Sequence, residues 1–227
     1  MYFVVQKVAC SSVKSALLPL FDFGVGGSEL TRRDGTTAVH QLFADSPYEL
    51  TGADFTSELA TGRYDGYFKF AFVRNLWDRL VSCYLQKLGP GRRSRASIGR
   101  KHSGGKLRED MHFREFARAV CEICDSEANP HFRLQHVVLY GGTDSLLPSF
   151  IDRFENLEED FARVAAEIGA QDLKLPHLTP SLARDNPSYR DFYDEREAKM
   201  VSERFQRDIS NSSIILSSLC ARCARCA

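Results

Sequence analysis

One stretch, Tyr67 to Leu88 (YFKFAFVRNLWDRLVSCYLQKL), constrains the fold more than any other. Tyr67 to Val73 is short, apolar and rich in β-formers, which predicts a buried strand. Arg74 follows, and Asn75 is a good N-cap. Trp77, Leu80, Val81, Tyr84 and Leu88 then recur at helical spacing as an apolar stripe, with Asn75, Arg79, Ser82 and Gln86 on the other face. A strand that ends in Arg and feeds a helix is built for phosphate. The helix N-terminus offers N–H groups and a positive dipole, and the guanidinium adds a two-pronged donor. The same residues would also serve as a plain strand–helix unit with a surface arginine.

The N-terminus repeats the pattern. Residues 2–5 (YFVV) predict a strand, and residues 13–18 predict a helix start with Ser11 or Ser12 as cap and Pro19 ending or bending it. Between them Lys7 to Lys14 form a loop with two lysines, two hydroxyls and a run of backbone N–H groups, the chemistry of a phosphate cradle. It is not a Walker A loop: G-x-x-x-x-G-K-[ST] is absent, and Ala9 and Cys10 stand where glycines would be expected. A simple βα turn with surface lysines is the competing reading.

Taken together, KVACSSVK and FKFAFVRNLWDRLVSCYLQKL resemble the carbohydrate sulfotransferases, in particular the group with the chondroitin and dermatan 4-O-sulfotransferases and their bacterial relatives. In that family a P-K-V-x-C-[ST]-x-x-K motif binds the 5′-phosphosulfate of 3′-phosphoadenosine 5′-phosphosulfate (PAPS). An F-x-F-V-R-[DN]-P-x-x-R-L-x-S-x-Y motif binds the 3′-phosphate. Here Gln6 replaces the first motif's proline, and Leu76 and Trp77 replace Pro and an aromatic in the second. The resemblance implies that Lys7, Ala9, Cys10, Ser11, Ser12, Val13 and Lys14 hold the 5′ end, and that Arg74 and Ser82 hold the 3′-phosphate. It implies a PAPS donor, no metal, and a carbohydrate acceptor, with an anionic glycan among the options.

Further along, Asn129 to Gln135 resembles the family's D-x-H-W-x-P-Q block at the acceptor site, which brings in His131 and Arg133. Residues 148–170 resemble its Y-D-F-I-G-[KR]-F-E-x-L-x-x-D segment. There Ser149 to Phe154 is expected as a buried strand, with Arg153 and Glu155 at its C-terminal edge. Asn156 is expected to cap the next helix with Glu159, and Gly169 to end it. LPHLTPS, with His177, matches a family loop. The implied mechanism has Lys7 stabilising charge on the leaving phosphate, with His131 as first and His40 as second candidate base.

Residues 22–50 are loop-rich, with His40 in a short element. A capping box at Thr51 to Asp54 opens a helix to about Ala60. Residues 87–108 carry eight Lys or Arg and no acid. This is a mobile basic segment, or a flap over nucleotide or anionic glycan in which Arg92, Arg93 and Arg95 bind sulfate or carboxylate. Residues 112–124 predict an amphipathic helix, and Tyr189 to Asp208 a charged C-terminal one.

Composition sets the frame. The 227 residues are 43% apolar and 26% charged with zero formal net charge, so no global field calls for nucleic acid. There is no apolar run long enough to cross a membrane and no credible leader. The seven cysteines are odd in number and irregularly spaced, which suggests a reducing compartment rather than a disulfide framework. A metal role for Cys121 and Cys124 would need further ligands, and Cys220, Cys223 and Cys226 sit in a low-complexity tail.

The expectation is therefore an α/β chain: a P-loop-NTPase-like three-layer sandwich with a central, mainly parallel sheet flanked by helices. One domain spans 1–209, followed by a tail at 210–227. Animal relatives in the family are Golgi-anchored, but without an anchor in this chain a cytoplasmic enzyme is expected. The alternatives are a non-catalytic PAP- or glycan-binding relative and a P-loop-like kinase.

Overall fold

The computed structural model describes residues 1–24, 30, 38–44, 46–50, 52–89, 105–108, 110–176 and 188–210. It is an α/β structure on a three-stranded, wholly parallel sheet. The strands are β1 (Tyr2–Phe3), β2 (Phe70–Val73) and β3 (Phe150–Arg153), in the order β1-β2-β3. Tyr2 pairs with Phe70 and Phe3 with Ala71; on the other side Phe70 to Val73 pair with Phe150 to Arg153. Parallel neighbours need crossover connections, and helices supply them. Between β1 and β2 lie α1 (Cys10–Leu17), α2 (Val39–Ala44) and α3 (Gly52–Ala60). Between β2 and β3 lie α4 (Leu76–Lys87), α5 (Phe113–Cys121) and α6 (Gln135–Tyr140). After β3 come α7 (Leu157–Glu167), α8 (Glu195–Arg204) and α9 (Gln206–Ser210).

β2 is central and paired on both edges, so all four of its residues are buried. This is why FAFV carries no alternation. Phe72 packs with Phe3, Val5, Val13, Phe161 and Val164 in the sheet core. A second core joins Leu80 and Tyr84 of α4 to Phe116 of α5, Phe132, and Val201 and Phe205 of the C-terminal region.

Several sequence expectations are corrected. β1 stops at Phe3, because the chain leaves the ladder toward a turn in which Lys7 is left-handed. β2 starts at Phe70 rather than Tyr67, whose N–H is used in a turn to the Tyr64 carbonyl. β3 is half-buried rather than buried, as an edge strand. Asn156 makes no side-chain cap: the 3-10 turn Phe154–Asn156 gives it φ −119° and ψ 24°, away from the extended backbone a cap requires. Asp160 instead accepts from the Arg153 N–H at 3.2 Å. The C-terminal helix is interrupted. Tyr189–Phe192 form a 3-10 turn, and the Asp194 side chain caps α8 by accepting from the Glu197 N–H.

Other expectations hold. Asn75 caps α4, its Oδ1 accepting from the N–H groups of Trp77 and Asp78 at 3.1 and 3.2 Å. Gly169, at φ +70°, closes α7, and the Ala170 N–H reaches back to the Ala165 carbonyl. Thr51, His102, His177 and the cysteines of the tail lie outside the described residues.

Phe72 fills the centre of the sheet core, so Phe72→Ala is expected to lose about 3–5 kcal/mol of stability. Urea unfolding with an unchanged m-value checks this.

Candidate functional site

The site lies where the C-terminal ends of β1 and β2 meet the first turns of α1 and α4. Between β1 and α1 the chain turns through Lys7 (φ +70°) and Ala9 (φ +48°), two non-glycine residues in the left-handed region. Such a conformation is costly for a residue with a Cβ and turns successive N–H groups toward one concavity. Ala9 is the N-cap of α1 and has no side-chain oxygen to satisfy the first turn; that turn also holds no acid. The helix start therefore presents N–H groups and its dipole to whatever binds there.

Two arginines from the second motif hold this turn. Arg74 Nη1 donates to the Lys7 carbonyl at 3.1 Å, and Arg79 Nε donates to the Gln6 carbonyl at 2.9 Å. Arg74 is further fixed by Nε to Asp78 Oδ2 at 2.8 Å and lies over the Phe154 ring, 4.2 Å from its centroid. Its Nη2 donors make no bond among the described residues. The Arg74 backbone is locked as well. Its N–H donates to Gln135 Oε1 and its carbonyl accepts from Gln135 Nε2, both at 2.9 Å. Glu155 Oε1 takes the next N–H, that of Asn75.

Lys7 Nζ donates to Gln86 Oε1 at 2.9 Å. Burial lowers its pKa to about 8, helped by the nearby Arg74 charge and opposed by Cys83. Ser82 lies on the same α4 face, one turn from Asp78 and one turn from Gln86, between the partners of Arg74 and Lys7.

Two histidines approach from other elements. His40, on α2, has Nε2 2.9 Å from Ser11 Oγ and 3.6 Å from Cys10 Sγ. Its pKa is lowered by burial and then by Lys14. His131 sits in the turn before α6. The Asn129 Oδ1 accepts from the His131 backbone N–H at 3.0 Å and lies 2.6 Å from the ring Nδ1. That oxygen can only accept, so Nδ1 carries the proton and Nε2 keeps a lone pair. Burial, then the positive charges of Lys87, Lys7 and Arg79 and the neighbouring His40, push the His131 pKa down to about 3.

The remaining expected residues have partners of their own. Lys14 is buried and pairs with Glu49 at 2.5 Å. Val13 is in the sheet core, and Cys10 is buried with its thiol donating to Gln6 Oε1. Arg133 turns its guanidinium back onto the Ala128 carbonyl. Arg92, Arg93 and Arg95 lie outside the described residues. Among the described residues no cluster of three or more His, Cys, Asp or Glu is placed to hold a metal.

The sequence reading missed Arg79 as an internal group. It is 3% exposed, yet it shares helical spacing with Asn75, Ser82 and Gln86, which was the available signal. Burial lowers its pKa and Asp208 compensates at longer range. Asp208 was missed too. It accepts from the N–H groups of Gln135 and His136, capping α6 from the C-terminal helix.

The chain matches the Sulfotransferase family over residues 1–216. It is similar to carbohydrate sulfotransferase 14 of Danio rerio, 27% identical over 189 residues, which cover 78% of this chain and 48% of that protein. The chain thus spans about half the length of the curated relative it matches. No solved structure matches. The cytoplasmic location expected from the sequence is withdrawn. The matched relative is an animal enzyme, of the group to which the resemblance attached a Golgi location. Among the described residues no helix is long and apolar enough to cross a membrane, and that fact assigns no compartment.

The pH dependence follows from two groups of one sign. The unfolded chain takes up a proton on His131 near 6.5 that the fold refuses until about 3, and on Lys7 near 10.5 rather than about 8. Over both windows the unfolded state binds more protons, so these groups make stability rise with pH. In NMR titrations the His131 ring is expected to stay neutral from pH 8 to 5, and Lys7 to titrate near 8.

Proposed function

The chain belongs to the Sulfotransferase family, and from that premise we propose that it transfers a sulfuryl group from PAPS to a carbohydrate hydroxyl. The single observation that carries this reading is the 3.1 Å bond from Arg74 to the Lys7 carbonyl. It joins the two anion motifs in one site, as a donor with phosphate at both ends of one nucleoside requires. The residues present fit that donor: a strained turn, a helix start without a side-chain cap, Lys7, and an arginine whose Nη2 donors make no bond among the described residues. The surrounding fold is proposed to be the P-loop-like three-layer sandwich, with one catalytic domain over residues 1–209.

PAPS supplies an activated sulfur whose leaving group is the 5′-phosphate of PAP. The N–H groups of Cys10, Ser11 and Ser12 and the Lys7 ammonium bind that end, with Ala9 shaping the turn and Val13 anchoring the helix. Lys14, paired with Glu49, acts through its charge on α1. Arg74 Nη2 and Ser82 Oγ take the 3′-phosphate and so favour PAPS over ATP. As the acceptor oxygen bonds to sulfur and the sulfur–phosphate oxygen bond breaks, charge grows on the 5′-phosphate. Lys7 and the α1 dipole face it, preorganised in a partly dry site. His131 Nε2 accepts the hydroxyl proton. His40, which holds Ser11, is the second candidate for that role. Protonation of His131 is disfavoured beside so many cations, and the donor's phosphates offset their field, so the base gains strength as the donor binds. Arg92, Arg93 and Arg95 are proposed to meet anionic groups of the acceptor, and Arg133 to shape the turn that carries His131.

The test is incubation of the purified protein with radiosulfate-labelled PAPS and a panel of glycans, alongside PAP and ADP binding. Transfer to a glycan with preference for PAP over ADP supports the reading. Equal affinity for ADP points to a kinase-like enzyme, and PAP binding without transfer points to a non-catalytic relative. Arg74→Ala is expected to raise the PAPS KM roughly 10- to 100-fold, the loss of about 1.5–3 kcal/mol from charged hydrogen bonds. Unchanged donor affinity removes Arg74 from the site. Lys7→Ala is expected to lower kcat about 100- to 1000-fold with donor binding partly kept, and near-full activity in His131→Ala excludes it as the base.

A further inference from the structure

Arg79 donates to three main-chain carbonyls from two distant segments: Nε to Gln6 at 2.9 Å, Nη1 to Arg133 at 2.8 Å and Nη2 to Pro130 at 3.1 Å. Gln6 immediately precedes Lys7 in the left-handed turn. Pro130 immediately precedes His131, and Arg133 closes the same turn, in which the Asn129 carbonyl accepts from the N–H groups of Phe132 and Arg133. The guanidinium is planar and its donors diverge at fixed angles, so three bonds set the relative position of the segments it touches. It has no ion pair with a carboxylate among the described residues. A buried charge whose hydrogen bonds all go to carbonyls, with Asp208 compensating only at longer range, costs more than an apolar side chain of the same size would, so packing alone does not account for an arginine here.

We infer that Arg79 is a positioning residue that fixes the separation of Lys7, on the donor side, from His131, on the acceptor side. The inference rests on the sulfuryl-transfer reading of the site. A lysine carries the charge but reaches one carbonyl at a time, and a methionine keeps the volume without any donor. Misplacement of reacting groups by about 1 Å is enough to lose about 100-fold in rate. The field of Arg79 on His131 gives a second consequence, since removing that positive charge raises the His131 pKa.

The experiment compares Arg79→Lys and Arg79→Met with the unaltered chain in three readouts: PAP affinity and kcat, amide hydrogen exchange, and NMR titration of His131. Both variants are expected to bind PAP within about threefold of the unaltered chain and to lose about 100-fold in kcat. Exchange is expected to quicken at least tenfold in residues 6–9 and 130–134 together, with β2 and α7 unchanged. Arg79→Met, but not Arg79→Lys, is expected to raise the His131 pKa. Retention of kcat within threefold, exchange that quickens uniformly along the chain, or loss of the fold in both variants assigns Arg79 to the scaffold and overturns the inference. If the unaltered chain transfers no sulfate, the functional reading fails, and the exchange and titration data decide the role of Arg79 alone.

Discussion

The structure depends on two consecutive carbonyls, those of Gln6 and Lys7, each held by a guanidinium from the segment that follows the central strand. A turn with two left-handed, non-glycine residues costs about 1–3 kcal/mol at each. Hydrogen bonds to charged groups contribute about 1.5–3 kcal/mol apiece, which is the scale needed to hold it. The loop therefore does not need the glycines of a Walker A sequence. Its shape is held from the segment that follows β2 and from α4, so the first motif depends on the second for its geometry.

A second layer of support comes from the C-terminal helix. Asp208, from α9, caps α6, and Gln135, the first residue of α6, clamps both backbone polar groups of Arg74. Gln135 is fully buried, so neither end of that relay can rearrange toward water. The link completes a chain of bonds from α9 through α6 to the Arg74 backbone. Trp77 and Tyr193 make a parallel tie, with the Tyr193 hydroxyl donating to the Trp77 carbonyl.

Much of this was legible in the sequence, for identifiable reasons. The β2–α4 unit announced itself because an unbroken apolar strand, a capping Asn75 and a helical stripe are local signals. Lys7 and His131 were singled out because they sit in motifs. What escaped was long-range. Whether Lys14 meets Glu49, and whether Arg79 faces water or three carbonyls, depends on segments distant in sequence. Strand lengths were overestimated at β1 and β2 because apolar residues continue past the ladder into turns, where burial persists without pairing. The failed cap at Asn156 shows the same limit, since a 3-10 turn changed the backbone that the side chain needed.

The field around Lys7 has a thermodynamic side. Lys7, Arg74, Arg79 and Lys87 crowd one another, and the carboxylate bound to Arg74 neutralises only part of their charge. That self-repulsion is a standing penalty on the fold, and on the function proposed above a multiply charged donor would offset it. On that reading folding and occupancy are linked, and the chain would resist proteolysis better with such a donor bound than without it.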